Sequence, residues 1–293
     1  MENKNITLTF ICDKKLIHYF EDYINTFHHI FNVEILLFIH KNNIIHYFEN
    51  LLITKENNKN TIYIFLQYVI DEIAQNENIL TNFKICLLNT EQLSRNHYIE
   101  QIHSYHPSIY RMDYSIANLS FINNQFKKVY LPYQIHYNEI FNFHKEYDIC
   151  MIYPYKSQRR LHIIEKLKTH GIHVNIINGF LGNRDKELMK HKILLNIHYD
   201  EDYKIFEELR CTRCIYNKMI VISEKSLFDD IYLFKKHLIT CDYNDFVNKI
   251  IDVIQQYDFY YNHLFKSFDK YLEIYENDLK NSVYENIQFI LNN

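Results

Sequence analysis

Two short apolar runs flank a segment with helical spacing between residues 193 and 226, and this pattern constrains the fold more than any other feature. Ile193 to Ile197 and Met219 to Ile222 are long enough for buried strands and too short for helices. Between them, apolar side chains recur from Ile205 at intervals typical of an amphipathic helix, and aspartates precede them as helix-start residues. A strand, a helix and a second strand in this order form a parallel crossover. The stretch therefore predicts a parallel α/β sheet.

The same stretch places polar side chains where its two strands end. Asn196 and His198 stand at the end of the first strand, and Ser223 and Glu224 follow the second. Because ligands of open parallel sheets bind at the carboxyl ends of the strands, these side chains are candidates for a binding site. The alternatives are a hydrogen-bonded structural role for His198 and a capping role for Glu224 ahead of the next helix.

Alternating strand-like and helix-like segments run through both halves of the 293 residues. This alternation predicts two α/β domains, one over residues 1–145 and one over residues 146–293, with the junction between Tyr133 and Tyr147. The chain after Tyr243 has the pattern of helices.

Composition excludes several classes of function. A net charge of −4 gives no electrostatic reason to expect nucleic-acid binding. Three glycines are too few and too clustered for a Walker P-loop or a full dinucleotide fingerprint. We find no secretory signal and no apolar run long enough to span a membrane, and the six dispersed cysteines suit a reducing compartment, so we expect a cytoplasmic protein.

Short motifs carry a family resemblance over roughly residues 83–226. In order they read LNTEQL, MDYSIANL, VYLPY, SQRR, GIHV, GFLGNRD, LNIHY, FEELR and VISE. This order resembles GT-B glycosyltransferases, and most closely a group of glycosyltransferase-like proteins of bacteria and large DNA viruses. The resemblance implies an α/β, GT-B-like fold with two Rossmann-type domains facing across a cleft and helices at the C-terminus.

The resemblance also implies a function. A glycosyltransferase of this group would move a sugar from a nucleotide-diphosphate sugar to a hydroxyl of a glycan, lipid or protein acceptor, with no cofactor and no metal ion. The cytoplasm would be that of the host if the source is a virus. Two other classes remain open: a GT-B-like protein that binds nucleotide or glycan without catalysis, and a nucleotide-sugar epimerase on the same fold.

The second domain supplies the expected donor site. Ser157 can cap a helix whose first turn holds Arg159 and Arg160, and such a turn suits a diphosphate. By resemblance, Glu207 or its neighbour Glu208 would hold the donor ribose, whereas spacing alone also allows a surface ion pair. The predicted donor-binding residues are Arg160, Asn196, His198, Glu207, Arg210 and Glu224.

The first domain supplies the candidates for catalysis. Glu91 and Asp113 each follow a predicted strand, and a transferase that inverts the sugar needs a base for the acceptor hydroxyl. The alternative for Asp113 is a place at the start of the next helix. Retaining or inverting chemistry stays open, since the second glutamate of many retaining GT-B enzymes would fall on Ile215 or Tyr216.

Overall fold

The computed structural model describes residues 5–38, 42–54, 59–135, 139–153 and 155–293. The chain divides into two compact units. Unit 1 comprises residues 1–134 and 278–293, and unit 2 comprises residues 135–277.

Unit 1 contains a sheet of six parallel strands in the order β2-β1-β3-β4-β5-β6. The central strands are mainly apolar because both faces of the sheet are covered, and all six residues of β3 are buried. The strands are β1 (Thr7–Asp13), β2 (Asn32–Phe38), β3 (Thr61–Leu66), β4 (Lys84–Asn89), β5 (Tyr110–Asp113) and β6 (Lys128–Tyr130). The helices are α1 (Glu21–Asn25), α2 (Asn42–Thr54), α3 (Glu77–Asn82), α4 (Asn96–Ser104) and α5 (Ile116–Leu119).

Unit 2 contains a second parallel sheet, of five strands in the order β11-β10-β9-β7-β8. Its strands are β7 (Tyr147–Ile152), β8 (Asn175–Ile177), β9 (His191–Asn196), β10 (Ile220–Glu224) and β11 (Ile239–Cys241). Its helices are α6 (Gln158–Thr169), α7 (Leu181–Leu188), α8 (Glu208–Tyr216), α9 (Phe246–Gln255) and α10 (Tyr257–Phe265), followed by α11 (Phe268–Asn292). The predicted α/β class and the helical end of the chain are both confirmed.

The division into units differs from the predicted boundary at residue 145. The structure divides the chain between residues 134 and 135, and it assigns residues 278–293 of α11 to unit 1. Asn286 Nδ2 donates a 2.8 Å hydrogen bond to Tyr130 O, and Gln134 Nε2 lies 3.5 Å from Leu279 O. These contacts join the end of α11 to the end of the first sheet. Residues 136–138 of the predicted junction lie outside the described part of the chain.

The helix of the strand–helix–strand stretch begins later than its apolar spacing predicts. It begins at Glu208, with Glu207 as its N-cap, and not at Ile205. The preceding segment is a loop, in which Asp200 Oδ1 accepts a 2.9 Å hydrogen bond from the backbone N–H of Asp202. Ile205 lies in this loop, and its side chain is buried there. Its spacing from the later apolar residues matches a helix, although Ile205 itself is outside the helix.

Within the described ranges, no helix is long and apolar enough to cross a membrane.

Candidate functional site

The topology of unit 2 defines where a ligand would bind. The chain passes from β7 to β8 on one side and then returns to place β9 on the other side of β7. Such a reversal leaves a crevice between the two helices that follow the strands on either side, outside the carboxyl ends of those strands. Here the neighbouring strands are β7 and β9, and the predicted donor-binding residues follow these strands or lie at the ends of β9 and of the next strand, β10.

The ends of β9 and β10 are joined through their side chains. Asn196 and Ser223 are partners in the strand register, and Asn196 Nδ2 donates a 3.0 Å hydrogen bond to Ser223 Oγ. Both residues are completely buried. Ser223 and Glu224 belong to β10 itself, whereas the sequence pattern ended the strand at Ile222. The strand ends thus form a rigid floor for the polar groups around them.

The start of α8 brings Glu207 and Arg210 over this floor. Arg210 Nη1 donates to Asn196 Oδ1 at 3.3 Å, and Arg210 Nη2 lies 3.7 Å from Glu207 Oε2. The exposed fractions of the Arg210 and Glu207 side chains are 20% and 25%. The two therefore form a partly buried pair at a helix N-terminus, and not a pair on a solvated helix face.

Arg160 lies in the first turn of α6, where Ser157 caps the helix as predicted. Ser157 Oγ accepts a 3.3 Å hydrogen bond from the backbone N–H of Arg160. The Arg160 side chain is turned inward: Nε donates to Ile197 O at 2.8 Å and Nη1 to Tyr153 O at 3.1 Å. Burial, together with the nearby charge of Arg210, lowers the pKa of Arg160 to about 10. Arg160 thus ties the segments after β7 and β9 together.

Arg159 is the more accessible of the two arginines. Its guanidinium carbon lies 3.9 Å from the ring centroid of Tyr243. Nη2 is hydrogen bonded to Glu224 Oε1, and Nη1 lies 3.4 Å from Glu201 Oε1. Stacking on an aromatic ring and pairing with a carboxylate fix the plane of the guanidinium. The sequence prediction named Arg160 and not Arg159 as the donor-binding arginine, and no sequence signal pointed to Tyr243.

His198 and Glu224 are partners at the edge of the sheet. The backbone N–H of His198 donates to Glu224 Oε2 at 3.1 Å, and His198 Nε2 lies 3.0 Å from Ser226 Oγ. Burial lowers the pKa of His198 to about 4, helped by the charges of Arg159 and Arg160, so the imidazole is neutral near pH 7. Burial raises the pKa of Glu224, and Arg159 opposes that change.

In unit 1, Asp113 and Glu91 lie in one hydrogen-bond network. Asp113 is 0% exposed and accepts hydrogen bonds from Asn89 Nδ2, Asn118 Nδ2 and the backbone N–H of Ser115. Burial raises the pKa of Asp113 to about 7. These surroundings suit an organising carboxylate and give no support to Asp113 as the base. Glu91 is partly exposed, and its backbone carbonyl accepts hydrogen bonds from Asn89 and Asn118.

The described residues contain no candidate centre for metal binding or thiol chemistry. They contain no group of three or more His, Cys, Asp or Glu side chains that could hold a metal ion. All six cysteines are buried free thiols. Burial raises the pKa of Cys211 and of Cys214, which are therefore packing residues of α8.

Comparisons with other proteins give two kinds of relative. No family model matches the chain. Uncharacterized protein L137 of Acanthamoeba polyphaga mimivirus is 32% identical over 261 residues, which cover 84% of this chain and 33% of that protein. Uncharacterized protein R358 of the same virus is 30% identical over 229 residues, which cover 73% of this chain and 78% of that protein. The chain thus spans about a third of the length of L137 and most of R358.

A solved structure with a known fold is also similar. The crystal structure of TarM, a GT-B glycosyltransferase, matches with a TM-score of 0.56 at 13% sequence identity, over 84% of this chain and 57% of TarM. The match shows a GT-B-like α/β fold with two Rossmann-type units, which the motif resemblance implied.

Proposed function

This chain belongs to one family with mimivirus protein R358, and from its GT-B-like fold and the site in unit 2 we propose that it is a glycosyltransferase. It would move a sugar from a nucleotide-diphosphate sugar to the hydroxyl of a glycan, lipid or protein acceptor. The reaction would take place in the cytoplasm, which is a host cytoplasm if the source is a virus.

One observation carries the proposal. Arg159, Arg160 and Arg210 converge with Glu207 and Glu224 around the ends of β7, β9 and β10. The three guanidinium groups supply charged donors where the sheet topology places a ligand, with Glu201 as a further carboxylate beside Arg159, and the N-termini of α6 and α8 add positive potential there. A nucleoside diphosphate carries the complementary charge, and its ribose offers hydroxyls to a carboxylate.

The roles of the residues follow from their surroundings. We assign ribose hydroxyls to Glu207, which is partly exposed at the start of α8. The diphosphate would lie against Arg159 and Arg210, whereas Arg160 would position the segments that line the site. His198 and Glu224 would shape the edge near the sugar, His198 as a neutral hydrogen-bonding group. A leaving diphosphate gains charge as the glycosidic bond breaks, and fixed guanidinium groups stabilise that charge without a metal ion.

Glu91 is our candidate for the base in unit 1, if the transfer inverts the sugar. Its backbone is held by Asn89 and Asn118, and both of these are held by Asp113. A carboxylate on a fixed loop can accept the proton of an acceptor hydroxyl as that oxygen attacks. Asp113 is then a positioning residue for Glu91.

The test is a thermal-shift screen against UDP, GDP, ADP, CDP and dTDP, followed by transfer or hydrolysis assays with the sugars of the nucleotide that binds. A ligand at one hundred times its Kd stabilises a protein by about 2.7 kcal/mol, so one nucleotide should stand out. No stabilisation by any of the five would overturn a donor site in unit 2. Binding without turnover of any sugar would leave a nucleotide-binding protein, and conversion of the sugar without an acceptor would indicate an epimerase.

A further inference from the structure

The side chain of Asn196 has an orientation that its partners determine. Asn196 is 0% exposed, and its amide group lies between Arg210 and Ser223. A guanidinium has donors and no acceptor, so the atom that faces Arg210 is the amide oxygen. The amide nitrogen must then face Ser223, at 3.0 Å from Ser223 Oγ.

The hydroxyl of Ser223 is determined in turn. Because it accepts from Asn196, its own hydrogen is available for another acceptor, and Glu224 O lies 2.9 Å away. Every hydrogen bond from Arg210 through Asn196 and Ser223 to the backbone of β10 therefore has one direction. A network in which each donor and acceptor is matched holds its members rigidly.

We propose that Asn196 and Ser223 are positioning residues that orient the Arg210 guanidinium toward an anionic group of the ligand, an inference that rests on the proposed glycosyltransferase function. The class of ligand is a phosphate or diphosphate, whose oxygens match the paired donors of a guanidinium.

The chemistry of Asn196 explains why an amide suits this position. A neutral acceptor fixes one edge of the guanidinium and leaves its positive charge for the ligand. A carboxylate at the same place would form an ion pair and neutralise Arg210. Glu207 already forms an ion pair with Arg210 at 3.7 Å, so a second carboxylate at position 196 would compete further with the ligand for this guanidinium. Arg160 lies close enough for the charge of Arg210 to lower its pKa, so the two cations reinforce one another.

The experiment measures the Kd of inorganic pyrophosphate by calorimetry for the full chain and four variants. N196D keeps the shape of the side chain and adds the neutralising charge, so pyrophosphate affinity should fall about ten-fold or more. S223A should weaken binding by less, and S223T, which restores the hydroxyl, should recover it. N262D places the same charge on an exposed position of α10 and should bind like the wild type. Thermal unfolding of each variant checks that it is folded.

A double-mutant cycle separates action through Arg210 from direct repulsion. In an R210Q background, N196D should change the pyrophosphate Kd less than two-fold, because the guanidinium that it neutralises is gone. A loss as large in that background as in the wild type overturns the inference, and so does unchanged affinity in N196D or no pyrophosphate binding by the wild type.

These outcomes remain distinct from the failure of the proposed function. If the wild type binds a nucleoside diphosphate and N196D loses no affinity for pyrophosphate, the positioning role is wrong and the donor site stands. If pyrophosphate binding follows the cycle as expected and no nucleotide binds, the positioning role stands and the donor assignment is wrong.

Discussion

Asn89 Nδ2 donates a 2.6 Å hydrogen bond to Oδ2 of Asp113, a carboxylate with no exposed surface. The same amide group donates to Glu91 O at 2.7 Å. One side chain therefore connects the end of β5 with the loop after β4, and a carboxyl group that solvent does not reach holds that loop in place.

Removal of this carboxylate should destabilise unit 1. D113A leaves the amides of Asn89 and Asn118 and the Ser115 N–H without their acceptor, and each buried donor without a partner costs about 1–3 kcal/mol. We expect a loss of about 3 kcal/mol or more in the free energy of unfolding, measured by urea denaturation. A loss below about 1 kcal/mol would show that water or a neighbour replaces the carboxylate readily.

The raised pKa of Asp113 gives its contribution to stability a definite sign with pH. The folded-state pKa is about 7 and the ordinary value is 3.8, so between these values the folded protein binds more protons than the unfolded chain. The contribution of Asp113 is therefore largest at low pH and falls as pH rises from about 4 to 7, by at most about 1.4 kcal/mol per pH unit. D113N should lack this slope. Parallel stability curves for wild type and D113N would contradict the raised pKa.

The lowered pKa of His198 should make its contribution to stability change with pH in the opposite direction to that of Asp113. The folded-state pKa of His198 is about 4 against an ordinary 6.5, so the unfolded chain binds the extra proton in that window. Stability from His198 is complete above about pH 6.5 and is lost as pH falls toward 4. We expect the difference in unfolding free energy between wild type and H198Q to shrink or reverse on acidification. Because other histidines also titrate, the informative measurement is this difference and not the wild-type curve; a constant difference would contradict the buried neutral imidazole.

A substitution at Glu207 distinguishes a carboxylate that binds ligand from one that only forms an ion pair within a helix. E207Q keeps the shape and loses the charge, and hydrogen bonds to a charged group contribute roughly 1.5–3 kcal/mol, so nucleotide affinity should fall about ten-fold or more. Stability should change by less than about 1 kcal/mol, because the pair with Arg210 is long and partly solvated. The control is E273Q, an exposed position on α11, since Glu208 is buried and unsuitable. Wild-type affinity in E207Q would mean that the ribose lies elsewhere.

Replacement of Arg159 and replacement of Arg160 in α6 should have different effects on stability and binding. R160A strands the carbonyls of Ile197 and Tyr153, so it should lower the unfolding free energy by about 2 kcal/mol or more. R159A should cost less stability and should weaken binding of a nucleoside diphosphate more than that of the nucleoside. Thermal melts and titrations with both ligands test this. The opposite pattern would make Arg160 the ligand contact, as the sequence pattern predicted.

The sequence by itself predicted the order of the main elements and the edge of the sheet at which the candidate site lies. Buried parallel strands need continuous apolar runs, and strands such as Ile193 to Ile197 carry that signal locally. Polar residues at the ends of such runs, among them Asn196, must emerge at one edge of the sheet because all its strands are parallel. Ser157 was also predictable, since a cap is a local hydrogen bond between residues three apart.

Only the tertiary structure decided what each side chain does. Neighbouring residues in the first turn of a helix point in different directions, so Arg160 meets two backbone carbonyls whereas Arg159 meets Tyr243 and Glu224. The burial of Asp113 and the late start of α8 likewise depend on segments distant in sequence. The desolvation of a side chain and the direction of its hydrogen bonds depend on all the segments that pack around it. The identity of one residue and of its sequence neighbours does not specify those segments.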